Sequence, residues 1–343
     1  MRIDTFSSSA ALLAAALLLA ACADDATEPG SSQPACLALA HTAEVDWQPA
    51  AEIGGDGALL SVWGTGPCDV YTVGGQPDAG VAYHFDGTDW TALELPAVPL
   101  LNWVFGVGDT VWIVGNGGTV LRGSATAGFE LVESGTTAPL WGVWGSSPSR
   151  LFAVGGDVQD DTSEPVAIAF DGQSWSSVEL PATDRPAHAL FKVWGTADDH
   201  AIAVGQFGIA YRWDGTRWTA LSTGTGEDLI SLWGRSADDI TIIGGRSNAV
   251  LGHWDGEALT AEVLAGTPGM NGVWVDGDGD ASVVGIFGTA GRIGAADKTV
   301  DLDVTGTTDV LHGIWGVQGG PRFAVGGSLQ RNPPWTGVVL IDP

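Results

Sequence analysis

The chain has 343 residues, and its 41 Asp and Glu residues against 13 Lys and Arg residues give a formal net charge of −28. A surface this acidic repels nucleic acid and anionic lipid, because binding to phosphates depends on Lys and Arg residues that release counterions. We therefore expect no nucleic-acid partner and no electrostatic attachment to a membrane. Gly, with 51 residues, and Trp, with 16, are frequent, and both recur in a repeat that fills most of the chain.

Residues 1–21 are predicted to be a signal peptide that is absent from the mature protein. Arg2 supplies a minimal positive start, and the apolar run over residues 10–21 is too short to cross a bilayer as a helix. The run leads to Leu19-Ala20-Ala21-Cys22, which resembles a bacterial lipobox. The resemblance implies a lipid on Cys22 and a place in the bacterial cell envelope, facing the periplasm or the cell exterior, with the lipid as the only membrane anchor. The alternative is ordinary secretion with cleavage nearby.

After a linker over residues 22–42, a repeat occupies residues 43–343, which are predicted to form one domain. Its clearest copy, residues 141–156, reads WGVWGSSPSRLFAVGG: a Trp-Gly pair, turn-forming residues, and an apolar run that ends in Val-Gly. Successive copies are about 40 residues apart. The aromatic residues that open the seven copies are Trp63, Phe105, Trp144, Trp194, Trp233, Trp274 and Trp315.

Each copy is predicted to contain four short strands, because apolar runs alternate with turn signals and no window shows sustained helical periodicity. An Asp-Gly pair predicts a hairpin between the third and fourth strands at Asp86, and it recurs at Asp171 and Asp214 and in degraded form at Asp255. Four hairpin-linked strands in a repeat of this length are typical of one blade of a β-propeller. The sequence therefore predicts an all-β fold, a seven-bladed β-propeller with four-stranded blades.

The last blade is predicted to close with a strand from the N-terminal side. The seventh copy has no fourth strand after residues 337–342, whereas residues 44–49 resemble a fourth strand without a blade. Pairing the two removes an open sheet edge. The repeated Trp is expected to fill the space between blades. The Gly after each Trp is expected to relieve a tight turn, and the Gly after each Val to open the next loop.

Two cysteines remain besides Cys22. Cys68 lies in the predicted turn between the first two strands of blade 1, and Cys36 precedes the strand that closes blade 7. Both segments reach adjoining blades on the same face, so a disulfide between them is geometrically allowed and fits an oxidising compartment. The alternative is two unpaired cysteines, one of them in the linker.

Departures from the repeat are the candidate binding sites. Asp276, Asp278 and Asp280 alternate as in the first half of a calcium loop, although the usual Gly and final Glu are missing. The alternative is a solvated acidic turn. We expect no other cofactor.

Three connections on one face of the ring offer further binding residues. The acidic connection over residues 155–165 suits a cation or a basic partner, and the connection over residues 326–335 offers an aromatic residue beside an Arg, a typical recognition element. The alternatives are a tolerated acidic insertion and packing over the closing blade. The candidate residues, including two from residues 183–188, are Asp157, Asp160, Asp161, Glu164, Arg185, His188, Arg331 and Trp335.

No catalytic arrangement stands out. The six His residues lack zinc-ligand spacing, no nucleophile motif is present, and the predicted inner strands carry almost no charge. The Trp/Gly-rich repeat and the turn at Asp86-Gly87-Thr88-Asp89-Trp90 resemble bacterial extracytoplasmic β-propeller lipoproteins of the BNR (Asp-box) and kelch groups. Together these features predict a monomeric, membrane-anchored propeller that binds a protein or glycan and is not an enzyme. The alternatives are a propeller hydrolase or lyase acting on polysaccharide, and an assembly or structural factor of the envelope.

Overall fold

The computed structural model of the protein describes residues 46–51, 53, 55–329 and 332–343. Within them, strands β1 to β28 form seven antiparallel sheets of four strands, the blades of a β-propeller. The first strands of neighbouring blades contact one another around the whole ring, so they line its centre. The predicted fold class is confirmed. No helix among the described residues is long and apolar enough to cross a membrane.

The strands follow one another along the chain in blade order, except that β1 (Gln48–Ala51) belongs to the last blade. Blade 1 contains β2 (Ala58–Gly66), β3 (Asp69–Gln76), β4 (Ala79–Phe85) and β5 (Trp90–Ala92). Blade 2 contains β6 (Leu101–Val107), β7 (Thr110–Gly115), β8 (Val120–Ser124) and β9 (Gly128–Leu131). Blade 3 contains β10 (Leu140–Ser147), β11 (Arg150–Gly155), β12 (Val166–Phe170) and β13 (Trp175–Ser177). Blade 4 contains β14 (Leu190–Ala197), β15 (His200–Gly205), β16 (Ala210–Trp213) and β17 (Trp218–Leu221).

Blade 5 contains β18 (Leu229–Ser236), β19 (Asp239–Gly244), β20 (Asn248–Trp254) and β21 (Leu259–Pro268). Blade 6 contains β22 (Met270–Val275), β23 (Ala281–Gly285), β24 (Ala290–Ile293) and β25 (Val300–Leu302). Blade 7 contains β26 (Leu311–Gly316), β27 (Arg322–Gly327), β28 (Gly337–Asp342) and β1. Blades 2, 4 and 6 each carry one 3-10 turn between the second and third strands, at Asn116–Gly118, Gln206–Gly208 and Ile286–Gly288.

The order of the strands divides the connections between two faces. Because the strands of a blade are antiparallel, the connections from second to third strand and from blade to blade lie on one face, which we call the upper face. The turns from first to second and from third to fourth strand lie on the lower face. The three longer loops with predicted binding residues belong to the upper face.

The closure of blade 7 is as predicted. β1 pairs antiparallel with β28, and Gln48 lies opposite Ile341. The strand spans Gln48–Ala51 and so begins later than the predicted residues 44–49, of which residues 44 and 45 lie outside the described residues. The N-terminal strand therefore completes the ring.

Polar contacts fasten this closure. Trp47 is fully buried and donates from Nε1 to Asp303 Oδ2 at 3.0 Å. The Arg322 guanidinium lies 5.1 Å from the centre of the Trp47 ring, and its Nε donates to Asp342 Oδ2 at 2.7 Å. A buried Arg with a carboxylate partner is costly to break, because the remaining charge would be uncompensated.

The repeated Trp fills the space between blades as predicted, and the Gly beside it has a role in addition to the one expected. A Cβ added at Gly106 would lie 2.0 Å from Trp63 Cη2 of the preceding blade, and one at Gly195 would lie 2.9 Å from Trp144 Cη2. The same contact with a preceding Trp is found at Gly64, Gly234 and Gly316. These glycines do not have a left-handed backbone. The turn is nevertheless tight, because a Cβ added at Gly195 would lie 2.2 Å from the carbonyl oxygen of His200, where the second strand begins. Gly is therefore needed both at the turn and beside the indole.

The Gly after the apolar run is also needed for space. A Cβ added at Gly155 would lie 1.9 Å from the carbonyl oxygen of Pro139, and one at Gly244 would lie 2.0 Å from that of Asp228. Both oxygens stand where the chain enters the inner strand of the same blade. Corresponding contacts are found at Gly74, Gly115, Gly205, Gly285 and Gly326.

The Asp residues hold the hairpins between third and fourth strands. Asp86 Oδ1 accepts two backbone N–H groups at 2.8 and 3.0 Å, and these bonds hold the pKa of Asp86 below its usual value. Asp171 and Asp214 form the same turn. Asp255 does so too, with N–H groups at 2.9 and 2.8 Å, although its sequence is degraded. The Asp therefore preserves the turn where the residues after it diverge.

Candidate functional site at the mouth of the channel

The mouth of the central channel is built from an irregularity that every blade shares. Near its start, each inner strand has one extra residue, and the register to the second strand shifts there, as between Leu140 and Gly142. Such a bulge re-aims a side chain and is frequent beside functional sites. The seven bulge residues, which we call the bulge ring, lie at the upper-face end of the inner strands: Leu60, Asn102, Trp141, Phe191, Ile230, Asn271 and His312.

The next residue of each inner strand forms a second ring. Three members of this second ring are Gly, because neighbouring inner strands approach closely at these positions. A Cβ added at Gly142, for example, would lie 3.0 Å from Lys192 Cα. The members of the second ring are Ser61, Trp103, Gly142, Lys192, Ser231, Gly272 and Gly313. Neither ring contains an Asp or a Glu.

Lys192 is the only Lys or Arg in the two rings. Its Nζ donates to Trp141 O at 2.8 Å and lies 4.0 Å from the centre of the Trp103 ring. The side chain therefore extends from blade 4 past blade 3 to blade 2. Its ammonium group is shielded from water, and this desolvation lowers the pKa of Lys192 to about 7. At neutral pH the amine is divided between its charged and neutral forms.

Arg246 stands above the mouth, in the loop after β19. Its guanidinium lies 5.3 Å from the centre of the Phe191 ring, and its Nε donates to Asp228 Oδ2 at 2.7 Å. The side chain is 60% exposed. Phe191 packs with Ile230 and Trp141 in a small apolar cluster from three blades. The bulge ring thus presents apolar and aromatic groups beneath a cation.

The pKa of His312, in blade 7, is affected by the same two cations. Burial lowers the pKa of His312 to about 4, and the positive charges of Lys192 and Arg246 add to this shift. Its Nε2 lies 2.8 Å from Gly327 O, so this nitrogen is the donor. His312 is therefore neutral at physiological pH.

Asn102 of the bulge ring leaves an acceptor unused. Its Nδ2 donates to Asn116 Oδ1 at 3.0 Å and to Leu140 O at 2.9 Å. Its Oδ1 is buried and accepts no hydrogen bond from the described part of the chain. An unpaired buried acceptor costs about 1–3 kcal/mol. A donor from a bound molecule would remove this cost.

Two phenylalanines stand on the upper face with a left-handed backbone. Phe207 (φ 53°) and Phe287 (φ 59°) are the middle residues of the 3-10 turns in blades 4 and 6, and they are 42% and 74% exposed. Blade 2 has Gly117 at the corresponding position, with φ 65°. A residue other than Gly in this conformation costs about 1–3 kcal/mol. Neither backbone preference nor burial explains a Phe at these two positions.

The turn of Phe207 is held by its neighbours. Its backbone N–H donates to Asp228 Oδ1 at 2.9 Å, and its carbonyl oxygen accepts from Arg185 Nη1 at 2.7 Å. Asp228 thereby joins Phe207 to Arg246. Arg185, a predicted binding residue, acts here by positioning the turn.

The acidic loop over residues 155–165 lies against residues 183–188. Asp157 and Asp160 accept hydrogen bonds within the loop, and the Thr162 hydroxyl holds the pKa of Asp160 below its usual value. His188 Nδ1 lies 2.9 Å from Ser163 O. Asp161 and Glu164 are exposed. The structure thus brings His188 to the acidic loop.

Trp335 is half-buried and fastened to blade 1. Its backbone N–H donates to Gln76 Oε1 and its carbonyl oxygen accepts from Gln76 Nε2, both at 2.9 Å. Arg331 lies outside the described residues. This arrangement favours packing of the loop over the closing blade.

The three alternating Asp residues of blade 6 form one turn. Asp276 Oδ1 accepts the backbone N–H groups of Asp278, Gly279 and Asp280 at 2.9 to 3.0 Å. Among the described residues, no group of three or more His, Cys, Asp or Glu side chains is placed to hold a metal ion. The geometry favours the acidic turn, and calcium binding stays a prediction.

The cysteine predictions fall largely on residues that the structure does not describe. Cys22 and Cys36 lie outside the described residues, so lipidation and the pairing of Cys36 stay predictions. Cys68, in the turn between β2 and β3, is disulfide-bonded.

Sequence reasoning missed the residues of the channel mouth. The predicted inner strands carry almost no charge. Lys192 is the exception, and it is the one cation of the bulge ring and the second ring. A signal was present: aligned on the repeated aromatic residue, the second and third positions before it vary strongly, whereas the flanking positions are uniformly apolar. The exposure of Phe207 and Phe287 depended on a turn type that the sequence did not reveal.

No protein-family model matches the sequence, and no curated protein matches it. Solved structures with the same fold include virginiamycin B lyase from Staphylococcus aureus with quinupristin (TM-score 0.68, 12% identity, covering 87% of this chain and 99% of that one). YCF48 from Cyanidioschyzon merolae has a TM-score of 0.64 at 16% identity, over 86% of this chain and 98% of that one. The WD40 domain of Doa1 has a TM-score of 0.67 at 11% identity, over 86% and 97%. YCF48 is also solved bound to D1 peptide.

At these identities the likeness shows the fold alone. The similar structures include a lyase as well as WD40 propellers. The fold therefore does not decide between an enzyme and a binding protein, and the site must carry the functional argument.

Proposed function

We propose that the chain is a lipid-anchored, extracytoplasmic β-propeller that binds a partner protein or glycan through its upper face and is not an enzyme. The observation that carries this proposal is the pair Phe207 and Phe287, which expose aromatic rings on turns that prefer Gly. Backbone strain of this kind is retained where it serves a function. Arg246 occupies the corresponding loop of the blade between them, and aromatic residues and Arg dominate the energy of many interfaces.

The direction of the chain supports this choice of face. β1 is the outer strand of its blade, and outer strands begin at the lower face. We therefore propose the upper face, and not the face at which β1 begins, as the binding surface. YCF48 with D1 peptide is a precedent for a propeller of this fold that binds a peptide.

The enzyme alternative lacks a catalytic pair. Glycoside hydrolysis usually requires two carboxyl groups that flank the reacting bond. The bulge ring and the second ring contain no Asp or Glu, so these two rings do not offer that pair.

Capture of a partner from envelope extract tests the proposal. The protein is compared with a variant carrying Phe207→Gly and Phe287→Gly, since Gly accepts the left-handed backbone and removes only the rings. We expect at least a tenfold loss of the captured partner, because both aromatic contacts are gone. Treatment of the extract with protease or with glycosidases then distinguishes a protein ligand from a glycan.

Val263→Gly is the matched control. It removes an apolar side chain that is 48% exposed, but from the middle of the outer strand of blade 5 and not from a turn of the upper face. We expect it to capture the partner as the unchanged protein does. Equal capture by the double Phe variant would show that the upper face is not the binding surface.

A further inference from the structure

We infer that the channel mouth binds a small hydroxycarboxylate, such as a sugar acid, with the Lys192 ammonium as its counter-ion. This site goes beyond the proposed function, because its ligand is a small molecule and its residues are not Phe207 or Phe287. It is also unlike the rest of the molecule, which is strongly acidic.

The charges at the mouth favour an anion. Asp228 is already paired with Arg246 at 2.7 Å, whereas Lys192 has only a carbonyl oxygen and an indole as partners in the described part of the chain. A desolvated ammonium without a counter-ion is unfavourable, and a bound anion removes this penalty. One uncompensated positive charge matches one carboxylate. A phosphate dianion would leave an excess negative charge in the same place.

The walls of the site favour a ring-shaped ligand with a hydroxyl group. Trp103 lies under the ammonium, and Trp141 is fixed by a hydrogen bond from its Nε1 to Gly156 O at 2.9 Å. Aromatic side chains provide flat apolar surfaces against which a sugar ring packs. Asn102 of the bulge ring precedes Trp103, and its Oδ1, buried in the unbound protein, accepts no hydrogen bond from the described part of the chain. A ligand hydroxyl supplies that donor once the amide turns toward the mouth.

Binding is expected to take up a proton. The free amine has a pKa of about 7, and a carboxylate beside it stabilises the ammonium form. The other groups that face it are Arg246, with its partner Asp228, and His312, whose pKa of about 4 keeps it neutral above pH 6. Lys192 is thus the group of this site that titrates between pH 6 and pH 9.

Calorimetric titration of the folded protein with glucuronate tests the inference. Because only the protonated amine pairs with the ligand, the affinity is expected to fall about 30-fold between about pH 6 and about pH 8.5. Lys192→Met is expected to lose at least tenfold in affinity at about pH 6. Lys298→Met, which changes the exposed second lysine of the chain, is expected to bind as the unchanged protein does.

Several outcomes would overturn the inference. They are equal binding of glucose and glucuronate, unchanged binding by a folded Lys192→Met variant, and an affinity that is independent of pH. Tighter binding of glucose 6-phosphate than of glucuronate would overturn the carboxylate assignment. Because the variant with Gly at positions 207 and 287 keeps the channel mouth, it is expected to bind glucuronate normally, which separates this site from the partner surface.

Discussion

The layer between the blades and the mouth of the channel are built from the same repeat, but its residues are kept in the first region and vary in the second. Between the blades, a Trp from one copy lies on the Gly of the next at five of the seven junctions, and a side chain in place of that Gly would collide with the indole. At the mouth, residues of the bulge ring contact neighbouring inner strands, and all but Asn occur once: Leu, Asn, Trp, Phe, Ile, Asn and His. The residues that repeat are therefore those needed to pack the blades together. The positions that vary are not needed for this packing and can carry residues for binding.

The largest effect is expected in the layer between the blades. Gly106→Ala would place a methyl group 2.0 Å from Trp63 Cη2, so the indole or the blade must move. Overpacking of this kind typically costs about 1–3 kcal/mol of the free energy of unfolding. Thermal or urea unfolding measures it.

Gly66→Ala is the control for this change. It lies on the same kind of inner strand, has no left-handed backbone, and an added Cβ meets no atom within 4 Å. We expect no loss of stability from it. A Gly106→Ala protein as stable as the Gly66→Ala protein would contradict the packing role of the Trp-Gly pair.

An effect that is confined to acid, and so smaller at neutral pH, is expected at the mouth of the channel. The folded pKa of His312, about 4, lies below the unfolded value of 6.5, so the unfolded chain binds more protons between these values. The stability due to neutral His312 is complete above pH 6.5 and is lost as the pH falls from 6.5 to 4. Unfolding measured across this range is expected to show the decline, and His312→Gln is expected to reduce it.

His84→Gln provides the comparison for His312. His84 Nε2 contacts Asp69 Oδ1 at 2.7 Å on the lower face, away from the channel. This variant is expected to keep the decline between pH 6.5 and pH 4. If His312→Gln keeps it to the same extent, the buried His is not its source.

The smallest effect is expected on the exposed turns. Phe287→Gly removes a ring that is 74% exposed and gives the turn the residue that its backbone prefers. The free energy of unfolding is expected to stay within about 1 kcal/mol and to rise. Leu131→Gly, which removes a similarly exposed side chain from a strand with an ordinary backbone, is expected to lower it. A marked loss of stability for Phe287→Gly would mean that the ring is structural and not kept for binding.

The sequence was sufficient for the fold because the fold depends on the residues that repeat. The spacing of Trp and Gly predicted seven blades, and the unmatched strand predicted the closure that β1 makes with β28. Spacing revealed only part of the reason why Gly follows Trp, since the indole that requires it belongs to the neighbouring blade. A single Lys in an apolar strand forms no repeated pattern, so the sequence did not single out Lys192. Its importance comes from its contacts with Trp103 of blade 2 and Trp141 of blade 3.

The pairing of β1 with β28 also bears on the order of synthesis. Synthesis makes β1 before the other six blades and β28 after them, so those blades can assemble before the seventh is closed. Until then, β1 has no complementary edge within the chain, and a truncated product never acquires one. The closure of the ring therefore depends on two segments that lie far apart in the sequence, and β1 is paired only when β28 is present.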